Sequence, residues 1–225
     1  MSLGDSSEEQ RSRLYERVKH SIAYFQMEGE VVGGGVFFQV GSRQFVLTAA
    51  HVLYDRSGLK IRCYDQRSFD FDVVKMSRDK DLAVVSIIGG NGDEFPCLKL
   101  SDEEIDVGME IHFIGHPDRK CFAYNIGRIC CVSKTCGDIY RNELFLSNEP
   151  RFNKKPDPRF VDDFLGLSSS LHFVQAKNVH GGGRVGGTGA PFLNGNGDIV
   201  GVYSFTYKDS DYGVHLDEIK EELSC

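Results

Sequence analysis

A glycine-rich stretch in the last fifth of the chain carries a single hydroxyl side chain. The stretch is Val185–Pro191, which reads Val-Gly-Gly-Thr-Gly-Ala-Pro and places the hydroxyl at Thr188. Glycines allow a tight turn in which several backbone N–H groups converge beside one side-chain oxygen. Acyl transfer needs a nucleophile next to such donors, because they stabilise the developing oxyanion. The stretch therefore predicts a nucleophile loop, with threonine where this chemistry normally uses serine or cysteine.

Two residues upstream complete the set that this chemistry requires. His51 directly follows a bend of two alanines, which would leave its ring half exposed. Asp81 begins an apolar strand that runs to Ile88, where a carboxylate can be buried and can orient an imidazole. Nucleophile, general base and orienting acid form a catalytic triad. Each has a plain alternative, since a lone histidine is usually structural or solvated, Asp81 can pair with Lys80, and Thr188 can be a turn residue.

The elements that must position these residues are mostly short strands. Val, Ile, Phe and Tyr occur in short clusters, and the chain has 25 glycines and 6 prolines, a composition that favours β-structure. Predicted strands lie at 35–40, 45–48, 60–64, 69–76, 81–88, 96–100, 110–115, 121–132, 144–147, 171–176 and 199–207. Gly41-Ser42 suits a type II′ hairpin turn, and Asn194–Gly197 suits another hairpin. Two runs of about six strands predict two packed, antiparallel six-stranded β-barrels.

Short helices are predicted at both ends of the chain. Leu14, Val18 and Ile22 recur at helical spacing, which predicts an N-terminal helix over 8–24, and Asp217 can cap a last helix. The predicted organisation is a helical extension at 1–32, a first barrel at 33–105, a second barrel at 106–216 and a C-terminal helix at 217–225. Residues 148–170 contain three prolines among charged residues and are predicted to form a long surface loop.

Composition argues against several functional classes. The formal net charge is −7, whereas nucleic-acid binding normally needs a basic face. There is no run of 18 apolar residues that would indicate a membrane span, and residues 1–13 are too polar for a signal peptide. The seven cysteines form no C-x-x-C pair, so we expect no metal and no cofactor. We expect reduced thiols and an intracellular location, in the cytoplasm or the nucleus.

The motifs resemble those of the chymotrypsin-like serine proteases, most of all the HtrA/Deg group. Leu47–Leu53 resembles the segment around the family's catalytic histidine, and Asp79–Val85 resembles its D-L-A-L-L aspartate strand. Further similar segments are Phe173–Gln175 (family F-I-Q), Gly186–Pro191 (G-N-S-G-G-P), Pro191–Asn194 with Gly197–Val202 (P-L-L-N…G-E-V-I-G-I) and Tyr212–Asp217 (the lead into the last helix). The resemblance covers Gly33–Leu223, and 225 residues leave no room for the PDZ domain that is common in the group.

The resemblance implies a role for each matching residue. His51 would be the general base, Asp81 its orienting partner and Thr188 the nucleophile, with the N–H groups of Gly186 and Thr188 as the oxyanion hole. No metal or cofactor takes part in the family's chemistry.

The resemblance also implies where a peptide would bind. Substrate main chain would pair with the strand at Tyr203, Ser204 and Phe205, and Gly182 lies where the side-chain pocket begins. No acid stands there, so a preference for Lys or Arg is not supported. The implied partner is a peptide or an unfolded protein segment, and a homo-oligomer is compatible with the sequence.

Two departures from the family pattern leave three interpretations open. Thr188 adds a methyl group that restricts χ1, and Ala190 adds a second one where the family has glycine. The first interpretation is a degenerate protease that still binds peptides but hydrolyses them weakly or not at all. The second is an active endopeptidase with a Thr188–His51–Asp81 triad, and the third is a purely structural or interaction domain. The sequence favours the first.

Overall fold

A computed structural model describes residues 3–54, 57–89, 95–116, 121–141, 166–179, 186–207 and 209–224. Helix α1 (Leu3–Val18) and a 3-10 helix (Lys19–Ser21) precede the strands β1 (Ile22–Met27), β2 (Glu30–Val40), β3 (Arg43–Thr48), β4 (Lys60–Cys63), β5 (Ser68–Phe69), β6 (Phe71–Ser77) and β7 (Leu82–Ile87). The second half contains β8 (Glu110–Gly115), β9 (Ala123–Thr135), β10 (His172–Lys177), β11 (Pro191–Leu193), β12 (Ile199–Tyr207), β13 (Ser210–His215) and helix α2 (Leu216–Ser224). Residues 136–141 are helical.

The strands form two antiparallel sheets, as the sequence predicts. The second is a closed barrel of six strands in the order β10-β13-β12-β11-β8-β9. The first differs from the predicted six-stranded barrel, because it has seven strands in the order β5-β4-β1-β2-β3-β7-β6 and stays open in the described residues. Its edge strands β5 and β6 are separated only by Asp70, so one bent segment supplies both edges of the sheet.

The predicted N-terminal helix over 8–24 is wrong at its C-terminal end. Helix α1 stops at Val18, and Ile22 begins β1, where it pairs with Val36 of β2. Leu14, Val18 and Ile22 are all buried, but only Leu14 and Val18 lie in the helix. The position of Ile22 at helical spacing is therefore a coincidence. The β-branched and aromatic residues that follow Val18 pack better in a sheet than in a helix, which decides the outcome.

Residues 96–100 do not form the predicted strand but connect the two halves. Leu98 makes an isolated bridge to Phe38 of β2, and Leu100 makes one to Ile199 of β12. The Gly41 turn is confirmed, since β2 and β3 pair around it and its φ is 59°. The predicted strand at 144–147 and most of the predicted loop at 148–170 lie outside the described residues.

One hydrophobic cluster joins the two sheets. It contains Leu47 and Leu82 from the first sheet together with Phe173 and Leu193 from the barrel, and all four side chains are fully buried. Because the two sheets share a core, three segments at this junction keep fixed positions relative to one another: the one after β3, the one before β7 and the one before β11. His51, Asp81 and Thr188 lie on these segments.

Helix α1 packs against the barrel, and the loss of one packing contact should have a measurable effect on stability. Leu14 is 5% exposed, and a Cβ built on Gly197 would lie 3.1 Å from its Cδ1. Leu14→Ala is expected to lower the free energy of unfolding by about 2 kcal/mol, because it leaves a cavity at this contact. The measurement is urea unfolding followed by circular dichroism. Arg13→Ala, at an exposed position of the same helix, should stay within about 0.5 kcal/mol of the unmodified chain, and equal losses would contradict the packing.

Candidate active site

His51 and Asp81 are brought together by neighbouring strands. His51 lies in a 3-10 helix (Ala50–Val52) after β3, and Asp81 directly precedes β7, the strand that pairs with β3. The His51 Nδ1 atom lies 2.8 Å from Asp81 Oδ1 and 2.9 Å from Oδ2. The His51 side chain is 42% exposed, whereas that of Asp81 is 5% exposed. A carboxylate cannot donate, so Nδ1 carries the proton in this pair and the ring presents its other edge outward.

Asp81 is fixed by three further hydrogen bonds, two to its carboxylate and one to its backbone carbonyl oxygen. The backbone N–H of His51 donates to Oδ1 at 3.1 Å, and the Ser204 hydroxyl donates to Oδ2 at 2.5 Å. The Asp81 carbonyl oxygen accepts a hydrogen bond from the N–H of Ala50 at 3.1 Å. Asp81 has a φ of 52°, a left-handed conformation that costs about 1 kcal/mol or more for a residue other than glycine. No local pattern marks Ser204 as a partner of Asp81, because the two are 123 residues apart.

Thr188 lies at the same junction, but its hydroxyl is directed towards β12. The Thr188 hydroxyl donates to the carbonyl oxygen of Ser204 at 3.4 Å. A hydroxyl has one proton, so this bond and a bond to the His51 imidazole exclude each other. The Thr188 carbonyl oxygen accepts a hydrogen bond from the N–H of Gly34 at 2.6 Å, which fixes the backbone of the loop against β2.

The loop around Thr188 contains consecutive N–H groups that differ in their hydrogen bonding within the described residues. Gly189 N donates to Tyr203 O at 2.8 Å and Ala190 N donates to Gly187 O at 3.1 Å. Within the described part of the chain, the N–H groups of Gly186, Gly187 and Thr188 make no hydrogen bond. Gly186 has a φ of 109° and Gly189 a φ of 87°, which favour glycine at both positions. The arrangement leaves donors available to an anion next to the Thr188 side chain.

Ala190, the second departure from the resemblance, fits without strain. It has no positive φ, so an L-residue is tolerated there. A Cβ built on Gly34 would lie 2.9 Å from the Ala190 Cβ. The glycine of β2 therefore provides the space that the alanine methyl occupies.

The residues implied for peptide binding divide into two groups. Both backbone groups of Tyr203 hold the Thr188 loop, since its N–H donates to Ala190 O at 2.9 Å and its carbonyl accepts from Gly189. A register shift between Tyr203 and Phe205 takes Ser204 out of the β12–β13 ladder. Ser204 thus directs its hydroxyl to Asp81 and its carbonyl to Thr188. Gly182 lies outside the described residues.

His116 is a buried residue at this junction that the sequence analysis missed. Its side chain is 0% exposed; Nδ1 accepts from the N–H of Phe122 at 3.1 Å, and Nε2 donates to Ala23 O at 3.3 Å. Burial lowers the pKa of the His116 imidazole to about 3, although the bond to Ala23 acts in the opposite direction. A Cβ built on Gly186 would lie 2.3 Å from the His116 carbonyl oxygen, so this residue also backs the Thr188 loop.

The lowered pKa of His116 predicts a pH-dependent stability. The unfolded imidazole binds a proton below about pH 6.5, whereas the folded one stays neutral down to about pH 3. The free energy of unfolding therefore decreases as the pH is lowered through this window. When the pH is lowered from about 6.5 to about 5, the free energy of unfolding of the unmodified chain is expected to fall by about 1.6 kcal/mol more than that of His116→Gln. Urea unfolding at each pH measures the difference. His112 and His215, whose pKa values burial also lowers, are present in both proteins and cancel. Parallel pH profiles would contradict the buried neutral histidine.

Metal and disulfide chemistry find no support in the residues that the structure describes. No cluster of three or more His, Cys, Asp or Glu side chains there could hold a metal ion. The six cysteines outside the C-terminal residue are all free thiols. No helix of the described chain is long and apolar enough to cross a membrane.

Comparison with known proteins shows the family to which the chain belongs. A family model described as a trypsin-like peptidase domain matches residues 33–202. The chain belongs to the trypsin-like peptidase family. It is 23% identical over 201 residues to the serine endoprotease DegS of Salmonella typhimurium, which covers 89% of this chain and 47% of DegS. It is 26% identical over 180 residues to a probable periplasmic serine endoprotease, DegP-like, of Pseudomonas putida, with 80% of this chain and 30% of that protein covered.

The family's fold is also found among solved structures. The inactive form of the Rv3671c protease superposes with a TM-score of 0.69 at 16% identity, covering 94% of this chain and 91% of that one. An inactive serine-to-alanine mutant of Rv3671c from M. tuberculosis gives a TM-score of 0.68 at 17% identity, covering 94% of this chain and 88% of that one. The resemblance to HtrA/Deg proteases is thus confirmed. The chain spans less than half the length of these DegS and DegP-like relatives.

Proposed function

We propose that this trypsin-like domain binds peptides or unfolded protein segments and that its own proteolysis is weak or absent because of Thr188. The observation that carries the proposal is the 3.4 Å hydrogen bond from the Thr188 hydroxyl to the Ser204 carbonyl oxygen. While that bond exists, His51 cannot take the proton of the nucleophile, which is the first step of acyl transfer.

The γ-methyl of Thr188 stabilises this unproductive arrangement. A β-branched side chain has few allowed χ1 values, so turning the hydroxyl towards His51 moves the methyl group into the space of the hydroxyl or of the incoming carbonyl. An error of about 1 Å in attack geometry costs about 10²-fold in rate. Serine lacks the methyl and turns freely between the two partners.

Peptide binding is proposed from the backbone around β12. Ser204 lies outside the β12–β13 ladder, and its carbonyl oxygen lies at the active site. An incoming peptide N–H that bonds this oxygen would compete with the Thr188 hydroxyl for it. Tyr203 uses both of its backbone groups within the chain, so we assign peptide pairing to Ser204 and Phe205. With a net charge of −7, we propose a protein partner rather than nucleic acid. An intracellular location remains our proposal from the expected thiol state.

An active endopeptidase is the second candidate, and a specific observation favours it. The His51–Asp81 pair is complete, with Nδ1–Oδ distances of 2.8 and 2.9 Å, and the N–H groups beside Thr188 are available to an oxyanion. Peptide binding that displaces the Thr188 hydroxyl from Ser204 would return it to His51. The two candidates differ only in whether the methyl group then permits attack.

The experiment that separates the candidates measures binding and cleavage on the same samples. Fluorescein-labelled, reduced casein is mixed with the purified chain and with its His51→Ala and Thr188→Ser variants. Fluorescence anisotropy reports binding, and gel electrophoresis reports cleavage. Binding by the unmodified chain with cleavage only by Thr188→Ser supports the proposal. Cleavage by the unmodified chain that is lost in His51→Ala establishes the endopeptidase, and absence of binding by every form leaves the interaction domain.

A further inference from the structure

One lysine connects the turn before Asp81 to the C-terminal helix. Lys80 Nζ lies 3.2 Å from Glu218 Oε2 and 2.8 Å from Glu221 Oε2, both on α2. The side chain of Lys80 is 17% exposed and that of Glu218 is 13% exposed, so this pair is shielded from solvent. Lys80 is the neighbour of Asp81 in the chain. The ion pairs therefore restrain the backbone that carries the Asp81 carboxylate.

Glu218 extends this connection to the closed barrel. Its Oε1 lies 3.1 Å from Nδ1 of His172, the first residue of β10, and accepts the His172 N–H at 3.3 Å. Burial opposes ionisation of Glu218, yet the hydrogen bonds from His172 and Lys80 hold the pKa of its carboxyl below the usual range. Glu218 is thus an ionised anchor between Lys80 of one half and β10 of the other.

The turn at 78–81 needs such a restraint because of its conformation. Asp81 has a φ of 52°, which an L-residue keeps only where its surroundings enforce it. Hydrogen bonds hold the turn at Asp79 and at Asp81: Ser168 N donates to Asp79 O at 2.8 Å, Asp81 N donates to Arg78 O at 3.4 Å, and Ala50 N donates to Asp81 O at 3.1 Å. Between these two residues, the Lys80 side chain adds two ion pairs that tie the turn to α2.

We propose that Lys80 is a positioning residue for the His51–Asp81 pair. Its ion pairs with α2 hold Asp81 in the left-handed conformation that directs the carboxylate at His51 Nδ1. Helix α2 is then a functional part of the site, because it acts on Asp81 through Lys80. The inference rests on the proposed function for the role of His51 as a base, but it does not require that Thr188 turns over.

The chain provides a matched control for this inference. Lys75 on β6 also pairs with α2, with its Nζ 3.3 Å from Glu222 Oε1 and 2.5 Å from the Glu222 carbonyl oxygen. Removing Lys75 deletes a helix contact of the same kind, but six residues before Asp81. A loss that follows only from weaker docking of α2 should appear in both variants.

The experiment is NMR of the full chain with ¹⁵N-labelled histidine, comparing Lys80→Met, Lys80→Arg and Lys75→Met. The observables are the Nδ1–H resonance of His51 and the pH midpoint at which its ring titrates. Loss of a nearby positive charge alone raises this midpoint, whereas loss of the Asp81 contact lowers it, so the sign separates the two effects. We expect Lys80→Met to lower the midpoint by about 0.5 pH unit or more and to weaken the Nδ1–H signal. Lys80→Arg and Lys75→Met should resemble the unmodified chain.

An unchanged or raised midpoint in Lys80→Met, with the Nδ1–H signal intact, would overturn the inference, as would an equal fall in Lys75→Met. If Lys80→Met does not fold, Lys80→Gln keeps most of the stem and is judged by the same criteria. Neither observable depends on turnover. The result is therefore separate from the casein experiment, which can fail while Lys80 keeps its role.

Discussion

Thr188→Ser is expected to raise kcat/KM for casein-derived fluorogenic peptides by about 10²-fold or more, which corresponds to about 2.7 kcal/mol of transition-state stabilisation. The gain arises because serine turns its hydroxyl from the Ser204 carbonyl to the His51 imidazole without moving a methyl group. Two parts of the proposed machinery are present in the described residues: His51 Nδ1 lies 2.8 Å from Asp81 Oδ1, and the N–H groups of Gly186, Gly187 and Thr188 make no hydrogen bond there. Steady-state kinetics on both proteins measure the ratio.

Two further variants show where the gain comes from. Thr188→Ala should stay at the background rate. Adding His51→Ala to Thr188→Ser should lower kcat/KM by about 10⁴-fold or more relative to Thr188→Ser alone, because base and nucleophile act as a unit. The KM values should change little, since neither substitution alters the backbone of β12. Equal kcat/KM for the threonine and serine proteins would contradict the proposed impairment and favour the active endopeptidase.

Gly189→Ala is expected to lower the free energy of unfolding by at least about 3 kcal/mol. Gly189 has a φ of 87°, and its added Cβ would lie 2.3 Å from Thr48 Oγ1 and 2.4 Å from the Gly34 carbonyl oxygen. Neither neighbour can yield easily, because the Thr48 hydroxyl itself donates to Gly34 O at 2.7 Å. The methyl group would separate the Thr188 loop from β2, so peptide binding should be lost as well. Chemical unfolding and casein anisotropy measure the two effects.

Gly195→Ala is the control for this substitution. Gly195 lies in the next turn of the chain, and a Cβ there would meet no atom within 4 Å. Its cost should stay within about 0.5 kcal/mol. If both alanine variants were equally stable, the close approach of the Thr188 loop to β2 would be wrong.

The residues of the candidate site that depend on local pattern could be selected from the sequence. His51 after two alanines, Asp81 at the start of an apolar strand and Thr188 among glycines each carry a signal within about ten residues, which is the range of turn and strand chemistry. The β-rich architecture with two packed sheets followed from the clusters of β-branched and aromatic residues, although the first sheet has seven strands rather than six. The end of α1 could not be predicted in this way. A longer helix would bury Ile22, and so does the strand β1 that the structure shows.

The remaining parts depend on contacts between distant segments. Ser204 reaches Asp81 across 123 residues, and Lys80 reaches Glu221 across 141. Both are set by how the two sheets pack, and side chains of these types are usually solvated, so no local pattern marks them. The direction of the Thr188 hydroxyl is also tertiary, since it depends on the bulge that places the Ser204 carbonyl beside it.

The most direct measurement of the central claim is reaction with a fluorophosphonate, which requires an activated hydroxyl but no particular peptide sequence. The nucleophile oxygen attacks phosphorus, fluoride leaves, and His51 takes the hydroxyl proton. Intact-mass spectrometry with peptide mapping follows the adduct at position 188 in the unmodified chain, in Thr188→Ser and in Thr188→Ser with His51→Ala. We expect rapid labelling of Thr188→Ser alone. Labelling of Thr188 in the unmodified chain at a rate within about tenfold of the serine variant, where about 10²-fold is expected, would contradict it.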